Sequence, residues 1–216
     1  MIYYDIHTHH LPEHPEDIAV LNHIVSIDSD AFQSDTEQIF YSVGIHPWYI
    51  KEEKDQVGVC KHMLSSAKVI AVGEIGLDKF ADKSLQEQLF VFKQQALLAE
   101  ENRLFVIVHC VKAWDELIAL KRELHAKMPW IIHGFRGNAQ LAQQLIREGF
   151  FLSFGEHFNR EAVRVAWPNH LFVETDDSTV DIRSVYDTIS AVLGVSVDTF
   201  ASQVAENVRK ILLFPL

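Results

Sequence analysis

Two histidines near the start of the chain have the spacing of metal ligands. The run Met1-Ile-Tyr-Tyr-Asp-Ile-His-Thr-His-His10 begins apolar and ends in Asp5, His7 and His9. Residues two apart on a β-strand share a face, so these three side chains are expected to point the same way. Histidine is the commonest metal ligand in proteins, and His7 and His9 could hold one divalent cation together. Taken alone, the pair is more simply explained as two surface or core histidines.

Further residues of the same kind stand at the ends of other apolar runs. They are Glu74, His109, His133 and Asp176. Each has an ordinary structural explanation, because a strand-end histidine is commonly a hydrogen-bonded core residue, a glutamate an ion-pair partner and an aspartate a helix cap. If the runs are parallel strands, however, their ends meet at one rim. The whole set at one rim favours a metal site.

The elements that would position these residues alternate between short apolar runs and amphipathic stretches. Most of the apolar runs are rich in Val, Ile and Phe, which is typical of parallel strands covered on both faces. The candidate strands are Ile2–His7, His23–Ile27, Phe40–Ile45, Val69–Glu74, Leu104–His109, Trp130–His133, Phe150–Phe154 and Leu171–Thr175. The candidate helices are Asp55–Ser66, Ser84–Asn102, Ala113–Lys127, Ala139–Glu148, Arg160–Ala166, Ile182–Leu193 and Val197–Leu213.

This alternation predicts an α/β fold, a single (β/α)8 TIM-type barrel with its active site at the carboxyl ends of the strands. No linker or low-complexity segment divides the sequence, so residues 1–216 are expected to form one domain. The segment Asp28–Ile39 leaves room for only a short helix or a turn.

The composition argues against a broad surface for binding polyanions. The formal net charge is −11 with histidine neutral, and no basic patch is visible, so a phosphate would have to be attracted by metal ions or a few cations. Cys60 and Cys110 form no CxxC motif, and neither a secretory signal nor a bilayer-length apolar run occurs. The sequence predicts a cytoplasmic protein without a membrane partner, and it indicates no protein partner.

Several sequence blocks resemble, in order and spacing, the signature blocks of the TatD-related deoxyribonucleases. The blocks are Asp5-Ile-His-Thr-His9, Gly44-Ile-His-Pro47, Gly73-Glu-Ile-Gly-Leu-Asp78, Val106-Ile-Val-His109, His133-Gly-Phe-Arg-Gly137, Phe151-Leu-Ser-Phe154, Glu174-Thr-Asp176 and Asn207-Val-Arg209. They extend along nearly the whole chain. The resemblance implies a metal-dependent hydrolase of the amidohydrolase-like barrel type, with phosphodiester cleavage in DNA as the family activity.

The resemblance also implies a ligand set for two divalent ions. In that set His7, His9 and Asp176 hold one ion, His109 and His133 hold the second, and Glu74 bridges the two. Two ions about 3.5–4 Å apart stabilise both the attacking and the departing oxygen of a phosphoryl displacement. The ligand types accept Zn, Mn, Co or Ni, and Mg where carboxylates dominate, so the identity of the metal stays open.

Asp176 and Glu74 are the predicted catalytic residues, with Asp176 at the rim to orient the attacking water or take its proton. His46, Lys112 and Arg136 are the predicted substrate contacts. Asp78 is expected to support the loop after Glu74. Two aromatic residues that follow His46 are candidates to line the mouth of the pocket and stack a base, namely Trp48 and Tyr49.

The substrate side departs from the family pattern. Cys110-Val111 stand where the family usually has Ser-Arg, and the segment after Asp176 is short. Metal-dependent hydrolysis is therefore better supported than DNA as the substrate. The alternatives are a related barrel hydrolase of a small phosphoester, ester or amide, including the polymerase-and-histidinol-phosphatase type, and a non-catalytic metal-binding relative.

Overall fold

Parallel strands follow one another around a barrel in the order in which they occur in the chain. The computed structural model describes residues 1–28, 32–34, 36–51 and 55–212. Within these residues the eight strands are β1 (Tyr4–Thr8), β2 (Ile18–Ile24), β3 (Ile39–Gly44), β4 (Val69–Asp78), β5 (Phe105–Val111), β6 (Trp130–Ile132), β7 (Phe150–Phe154) and β8 (Leu171–Val173). All neighbouring pairs from β1–β2 to β7–β8 are parallel. The predicted TIM-type barrel is confirmed.

The barrel is nearly closed, and its last contact joins the two ends of the sheet. Thr8 and Asp176 form an isolated parallel bridge between the end of β1 and the chain just after β8. The Asp176 N–H donates to the His7 carbonyl at 3.0 Å, and the His9 N–H donates to the Asp176 carbonyl at 2.9 Å. Closure therefore brings the Asp5–His9 block and the Glu174–Asp176 block together.

Helices cover the outside of the strands. The α-helices of the described residues are α1 (Gln56–Met63), α2 (Leu85–Asn102), α3 (Trp114–Glu123), α4 (Ala139–Arg147), α5 (Arg160–Ala166), α6 (Ile182–Leu193) and α7 (Val197–Leu212). α2 begins at a capping box, in which Ser84 and Glu87 bond reciprocally to each other's backbone N–H groups. Among these helices no single one is long and apolar enough to cross a membrane, and only α6 and α7, bent by 106°, reach that length and composition as a pair.

The strand interiors are buried on both faces, as their continuous apolar sequences predict. Trp130, Ile131 and Ile132 of β6 are all fully buried, with Trp130 stacked on Phe92 of α2 at a centroid distance of 5.1 Å. Because the barrel is filled by side chains, the polar residues at the strand ends are held by a rigid base.

One predicted strand was placed wrongly. The sequence predicted a second strand at His23–Ile27, whereas the structure has Ile18–Ile24. Apolar residues flank the polar pair Asn22-His23 on both sides, and hydrophobicity alone does not decide which side is the strand. The remaining strands and helices either match the predicted bounds or differ from them by a few residues at their ends. Part of the predicted turn Asp28–Ile39, and Leu213 of the last predicted helix, lie outside the described residues.

Candidate metal centre

The residues predicted as metal ligands lie together at the carboxyl end of the barrel. They are His7 in β1, His9 just after it, Glu74 in β4, His109 in β5, His133 directly after β6 and Asp176 shortly after β8. The barrel brings together residues that are far apart in the sequence. His7 and Asp176 are separated by 169 positions, yet His7 Nε2 lies 3.4 Å from Asp176 Oδ1. Convergence at the strand ends is what a parallel barrel produces.

Glu74 is the centre of the cluster, and its two carboxylate oxygens face different histidines. Oε2 lies 3.6 Å from His7 Nε2 and 3.9 Å from His9 Nε2. Oε1 lies 2.7 Å from both His109 Nδ1 and His133 Nε2. A carboxylate with one oxygen toward each of two groups of imidazoles has the form of a bridging ligand.

Asp176 completes the group around His7 and His9. Its Oδ1 lies 3.4 Å from His7 Nε2 and 3.6 Å from His9 Nε2. The residue has φ = 57°, a left-handed conformation that costs roughly 1 kcal/mol or more for a residue other than glycine. The backbone bonds to β1 hold it in that conformation. The barrel closure therefore fixes the position of this carboxylate.

The two groups of ligand atoms overlap rather than stand apart. His133 Nε2 lies 3.3 Å from His109 Nδ1, and the rings of His133 and His7 are 4.4 Å apart. Ligand atoms of three sets lie within 4.8 Å of one another: His7, His133 and Asp176; His7, His9 and Glu74; His46, Glu74 and His109. His133 thus stands between the two groups that Glu74 faces.

His46, predicted as a substrate contact, is buried beside Glu74. Its Nε2 lies 3.3 Å from Glu74 Oε1, and its Nδ1 accepts a hydrogen bond from the Trp48 N–H at 3.2 Å. A neutral imidazole whose Nδ1 accepts a hydrogen bond carries its proton on Nε2. His46 therefore presents an N–H donor to the centre.

Asn22 is a residue of the site that the sequence did not reveal. Its Nδ2 donates to Glu74 Oε2 at 3.3 Å, and the Glu74 N–H donates to its Oδ1 at 2.9 Å. The Ser42 hydroxyl donates to the same Oδ1 at 3.2 Å. The sequence did offer one sign of Asn22: it is a polar residue at the end of an apolar run, directly before the predicted strand His23–Ile27.

Further carboxylates stand behind two histidines of the cluster. Asp78 Oδ2 lies 3.2 Å from His109 Nε2, and Glu174 Oε1 lies 3.8 Å from His133 Nδ1. A carboxylate behind a metal-bound histidine fixes the ring and its tautomer. Asp5 is further removed: it accepts from the Thr175 hydroxyl at 2.6 Å and so supports the residue before Asp176.

Two irregularities in strand pairing coincide with the ligands. Three steps along β1, from Asp5 to Thr8, face two steps along β2. Three steps along β4, from Val72 to Ile75, likewise face two along β5. Such bulges re-aim side chains and are common next to active sites. One falls at His7 and the other at Glu74.

The electrostatics of the cluster favour added positive charge. Burial raises the pKa of Glu74, but the neighbouring His133, His109 and His46 outweigh burial and bring that pKa well below its usual range. Burial lowers the pKa of His133, but Glu74 outweighs burial and raises that pKa to about 10. Burial also raises the pKa of Asp176, and His7 reverses this to about 2. Both carboxylates are therefore anionic at neutral pH.

The cluster fits divalent metal ions. His7 is completely buried, and neither of its ring nitrogens has a hydrogen-bond partner within the described residues. A buried polar atom without a partner is costly unless something binds it. Its Nε2 faces two carboxylates, and imidazole with carboxylate is the donor set of divalent transition metals.

The two predicted cationic contacts lie farther out. Arg136 is exposed and lines a cavity of about 220 Å3 together with Glu174 and Asp176, so it borders the cluster. Lys112 is exposed just after β5, and its Nζ lies 5.0 Å from the centre of the Phe80 ring.

Comparison with known proteins agrees with this architecture. The family model described as "TatD related DNase" matches residues 23–213. The chain is 32% identical over 148 residues to the uncharacterized metal-dependent hydrolase YabD of Bacillus subtilis. This alignment covers 64% of the chain and 58% of YabD. The chain therefore spans a little over half the length of that relative. It is 26% identical over 197 residues to the 3'-5' ssDNA/RNA exonuclease TatD of Erwinia amylovora, covering 78% of this chain and 76% of that protein.

The fold is shared with a solved TatD homologue. The crystal structure of YjjV from Escherichia coli superposes with a TM-score of 0.85 at 20% identity, covering 99% of this chain and 98% of YjjV. The matching family model extends from β2 through α7, and the relatives are described as metal-dependent hydrolases. The chain belongs to the TatD-related DNase family of metal-dependent hydrolases.

Proposed function

We propose that this protein is a hydrolase with two divalent metal ions that cleaves phosphodiester bonds, with DNA as its substrate class. The observation that carries the proposal is the position of Glu74. Its Oε2 faces His7 and His9, and its Oε1 faces His109 and His133. Asp176 would complete the first site. When bound, such a pair of ions stabilises charge on the attacking and departing oxygens of a phosphoryl displacement.

The side chains around the ions have separate tasks. Asp176 is anionic at neutral pH and lies at the rim, so it can accept a hydrogen bond from the attacking water and orient it. His46 presents its Nε2–H toward Glu74 and can donate to a non-bridging phosphate oxygen when substrate enters. Asn22 holds Glu74 in place through its amide.

The surface charge favours a short contact with the substrate over a long one. The net charge of −11 repels the rest of a polyanion. Lys112 and Arg136 are the exposed cations that we assign to phosphates near the cleaved bond. A single-stranded end would place few phosphates against an acidic surface, and the TatD relatives named as 3'-5' ssDNA/RNA exonucleases are consistent with such a substrate.

Metal analysis tests the ligand assignment independently of turnover. We expect two divalent ions per chain in the wild-type protein and fewer in Glu74→Gln. Each ion at about 100 times its dissociation constant stabilises the fold by about 2.7 kcal/mol, so removal of both by EDTA should lower Tm by roughly 10–20 °C. His62→Ala, at an exposed histidine in the last turn of α1, is the matched control and should bind as the wild type does.

A substrate panel tests the reaction. Single-stranded DNA labelled at either end, bis-p-nitrophenyl phosphate and p-nitrophenyl phosphate are each incubated with Mn, with Mg and with EDTA. We expect metal-dependent cleavage of the two diesters. The turnover of His109→Ala and of Asp176→Ala should each be about 100-fold or more below that of the wild type.

Other outcomes of the panel would contradict the proposal. Near-wild-type turnover by a folded Asp176→Ala protein would remove the assigned role. Hydrolysis of the monoester alone would assign a small phosphoester as substrate. No turnover by a protein that holds its ions would indicate a non-catalytic relative.

A further inference from the structure

Two large aromatic side chains project into solvent next to the metal centre. Trp48 is 57% exposed and Phe80 is 69% exposed. Trp48 follows β3 in the short turn after His46, and Phe80 follows β4 two residues after Asp78. Both therefore lie on loops at the carboxyl end of the barrel, where substrate must enter.

A single carboxylate anchors both aromatic residues. The Trp48 indole Nε1–H donates to Asp78 Oδ2 at 2.7 Å, and the Phe80 backbone N–H donates to Asp78 Oδ1 at 2.8 Å. Asp78 itself is buried. A charge-assisted hydrogen bond to a buried carboxylate holds the Trp48 side chain in place. An exposed aromatic side chain without such a bond would be mobile.

The same carboxylate ties the aromatic residues to the metal ligands. Asp78 Oδ2 lies 3.2 Å from His109 Nε2. The Trp48 ring centre is 5.3 Å from that of His46 and 6.2 Å from that of His109. A flat group stacked on Trp48 would therefore lie beside two histidines of the candidate metal centre.

A cation stands beside the second aromatic residue. Lys112 directly follows β5, which carries His109, and its φ of 56° is left-handed. Its Nζ lies 5.0 Å from the centre of the Phe80 ring. Proteins that bind single-stranded nucleic acids combine aromatic platforms for bases with cations for the backbone.

We propose that Trp48 and Phe80 form a stacking subsite for the nucleobases next to the cleaved phosphate, with Lys112 contacting the adjoining phosphate. The subsite rests on the proposed phosphodiesterase function and assigns its substrates as base-bearing single strands. Its occupant is a nucleobase, because the two platforms stand beside the reaction centre and a cation that suits a phosphate. Asp78 is the positioning residue, since it binds the Trp48 indole, the Phe80 backbone and His109.

Paired substrates isolate the contribution of stacking. A single-stranded oligonucleotide is compared with one that carries abasic tetrahydrofuran residues on both sides of the cleaved phosphate. For Trp48→Ala and Phe80→Ala we expect KM for the base-bearing strand to rise about tenfold with kcat nearly unchanged. KM for the abasic strand should stay at the wild-type value. Trp48→Phe should recover most of the loss.

The matched control is Phe90→Ala. Phe90 is 68% exposed, which equals Phe80 within a percentage point, but it lies on α2 and not on a rim loop. It should leave both KM values unchanged. If Trp48→Ala and Phe80→Ala also leave KM for the base-bearing strand unchanged, the subsite is excluded while the phosphodiesterase function stands.

Fluorescence gives a readout that does not need turnover. Oligothymidylate added to the wild-type protein in EDTA should quench the emission of the exposed Trp48, and Trp48→Phe should lose most of that amplitude. Absence of quenching in the wild type would overturn the subsite even if no substrate is cleaved. Quenching without cleavage would retain the subsite and reject the proposed reaction.

Discussion

At the scale of single residues, one buried amide decides where the central carboxylate lies. Asn22 receives the Glu74 N–H and donates to Glu74 Oε2, so it binds the backbone and the side chain of the same residue. The Ser42 hydroxyl donates to the same amide oxygen from β3. The three side chains lie on adjacent strands. Glu74 is therefore oriented before any ion arrives.

Removing that amide should weaken both the fold and the metal site. In Asn22→Ala the Glu74 N–H loses its buried partner, so we expect the free energy of unfolding to fall by about 1–3 kcal/mol. Metal affinity should fall about 10- to 100-fold, as is typical when a residue that supports a ligand is lost. Urea unfolding and metal titration measure the two effects.

Ser42→Ala is the control for this variant. It removes one donor to Asn22 and leaves both bonds between Asn22 and Glu74 intact, so stability should fall by about 1 kcal/mol with metal affinity unchanged. Wild-type metal affinity in Asn22→Ala would show that Glu74 is oriented without the amide.

The sequence predicted the residues that meet at the centre far better than it predicted the residues that hold them in place. His7, Glu74, His109 and Asp176 carry chemistry in their residue types and end apolar runs, and both signals are readable. Asn22 also ends an apolar run, but an amide does not by itself indicate metal chemistry, and its role comes from the packing of β2, β3 and β4. Asp78 was expected to support the loop after Glu74, and its bonds to Phe80 and Trp48 agree with that role while also reaching His109.

At the scale of elements, the contact between β4 and β5 sets the distance between Glu74 and His109, the two proposed ligands that these strands carry. Gly76 pairs with His109 across these strands. A Cβ at Gly76 would lie 1.8 Å from the His109 carbonyl oxygen, a backbone atom that can move only with its strand. At Gly73 a Cβ would lie 2.6 Å from the Cβ of Ile107. Glycine here permits the close approach of the strands that bear Glu74 and His109.

Gly76→Ala should displace His109 as well as strain the barrel. Forcing the strands apart is overpacking, so we expect a loss of about 1–3 kcal/mol or more in unfolding free energy, together with weaker metal binding. Gly194→Ala is the matched substitution: Gly194 caps α6 with φ = 71° and has no atom within 4 Å of an added Cβ. It should cost about 1 kcal/mol with metal affinity intact. Equal metal binding in the two variants would contradict this account of the β4–β5 contact.

The elements were predictable where hydrophobic runs were uninterrupted. β7, α5 and α6 have the boundaries that the sequence predicts, since apolar periodicity and flanking caps agree there. The predicted bounds of β2 were wrong because Asn22-His23 interrupt a longer apolar stretch. That polar pair belongs to the strand because Ser42 on β3 and Glu74 on β4 bond to Asn22, which is a tertiary interaction without a local signature.

At the scale of the whole molecule, the charge distribution is at odds with a large nucleic-acid surface. Thirty acidic residues outnumber nineteen basic ones, and the positive charge that the proposed reaction needs would come from ions at one end of the barrel. Substrate attraction must then be local. Few side chains should therefore neutralise phosphates. Their number can be measured from the slope of binding affinity against salt concentration.

Lys112 and Arg136 are the two cations that we assign to phosphates, which sets that count at two. For single strands the slope of log affinity against log salt is about −0.7 for each phosphate neutralised, so affinity should fall only about sevenfold between roughly 50 and 200 mM salt. Lys112→Gln or Arg136→Gln should reduce this fall to about threefold, because one contact remains. KM for a short single strand, measured across that range at saturating metal, provides the slope. A fall of a hundredfold or more would mean that many more cations contact the strand, and the acidic surface would then have to carry a basic path that these two residues do not account for.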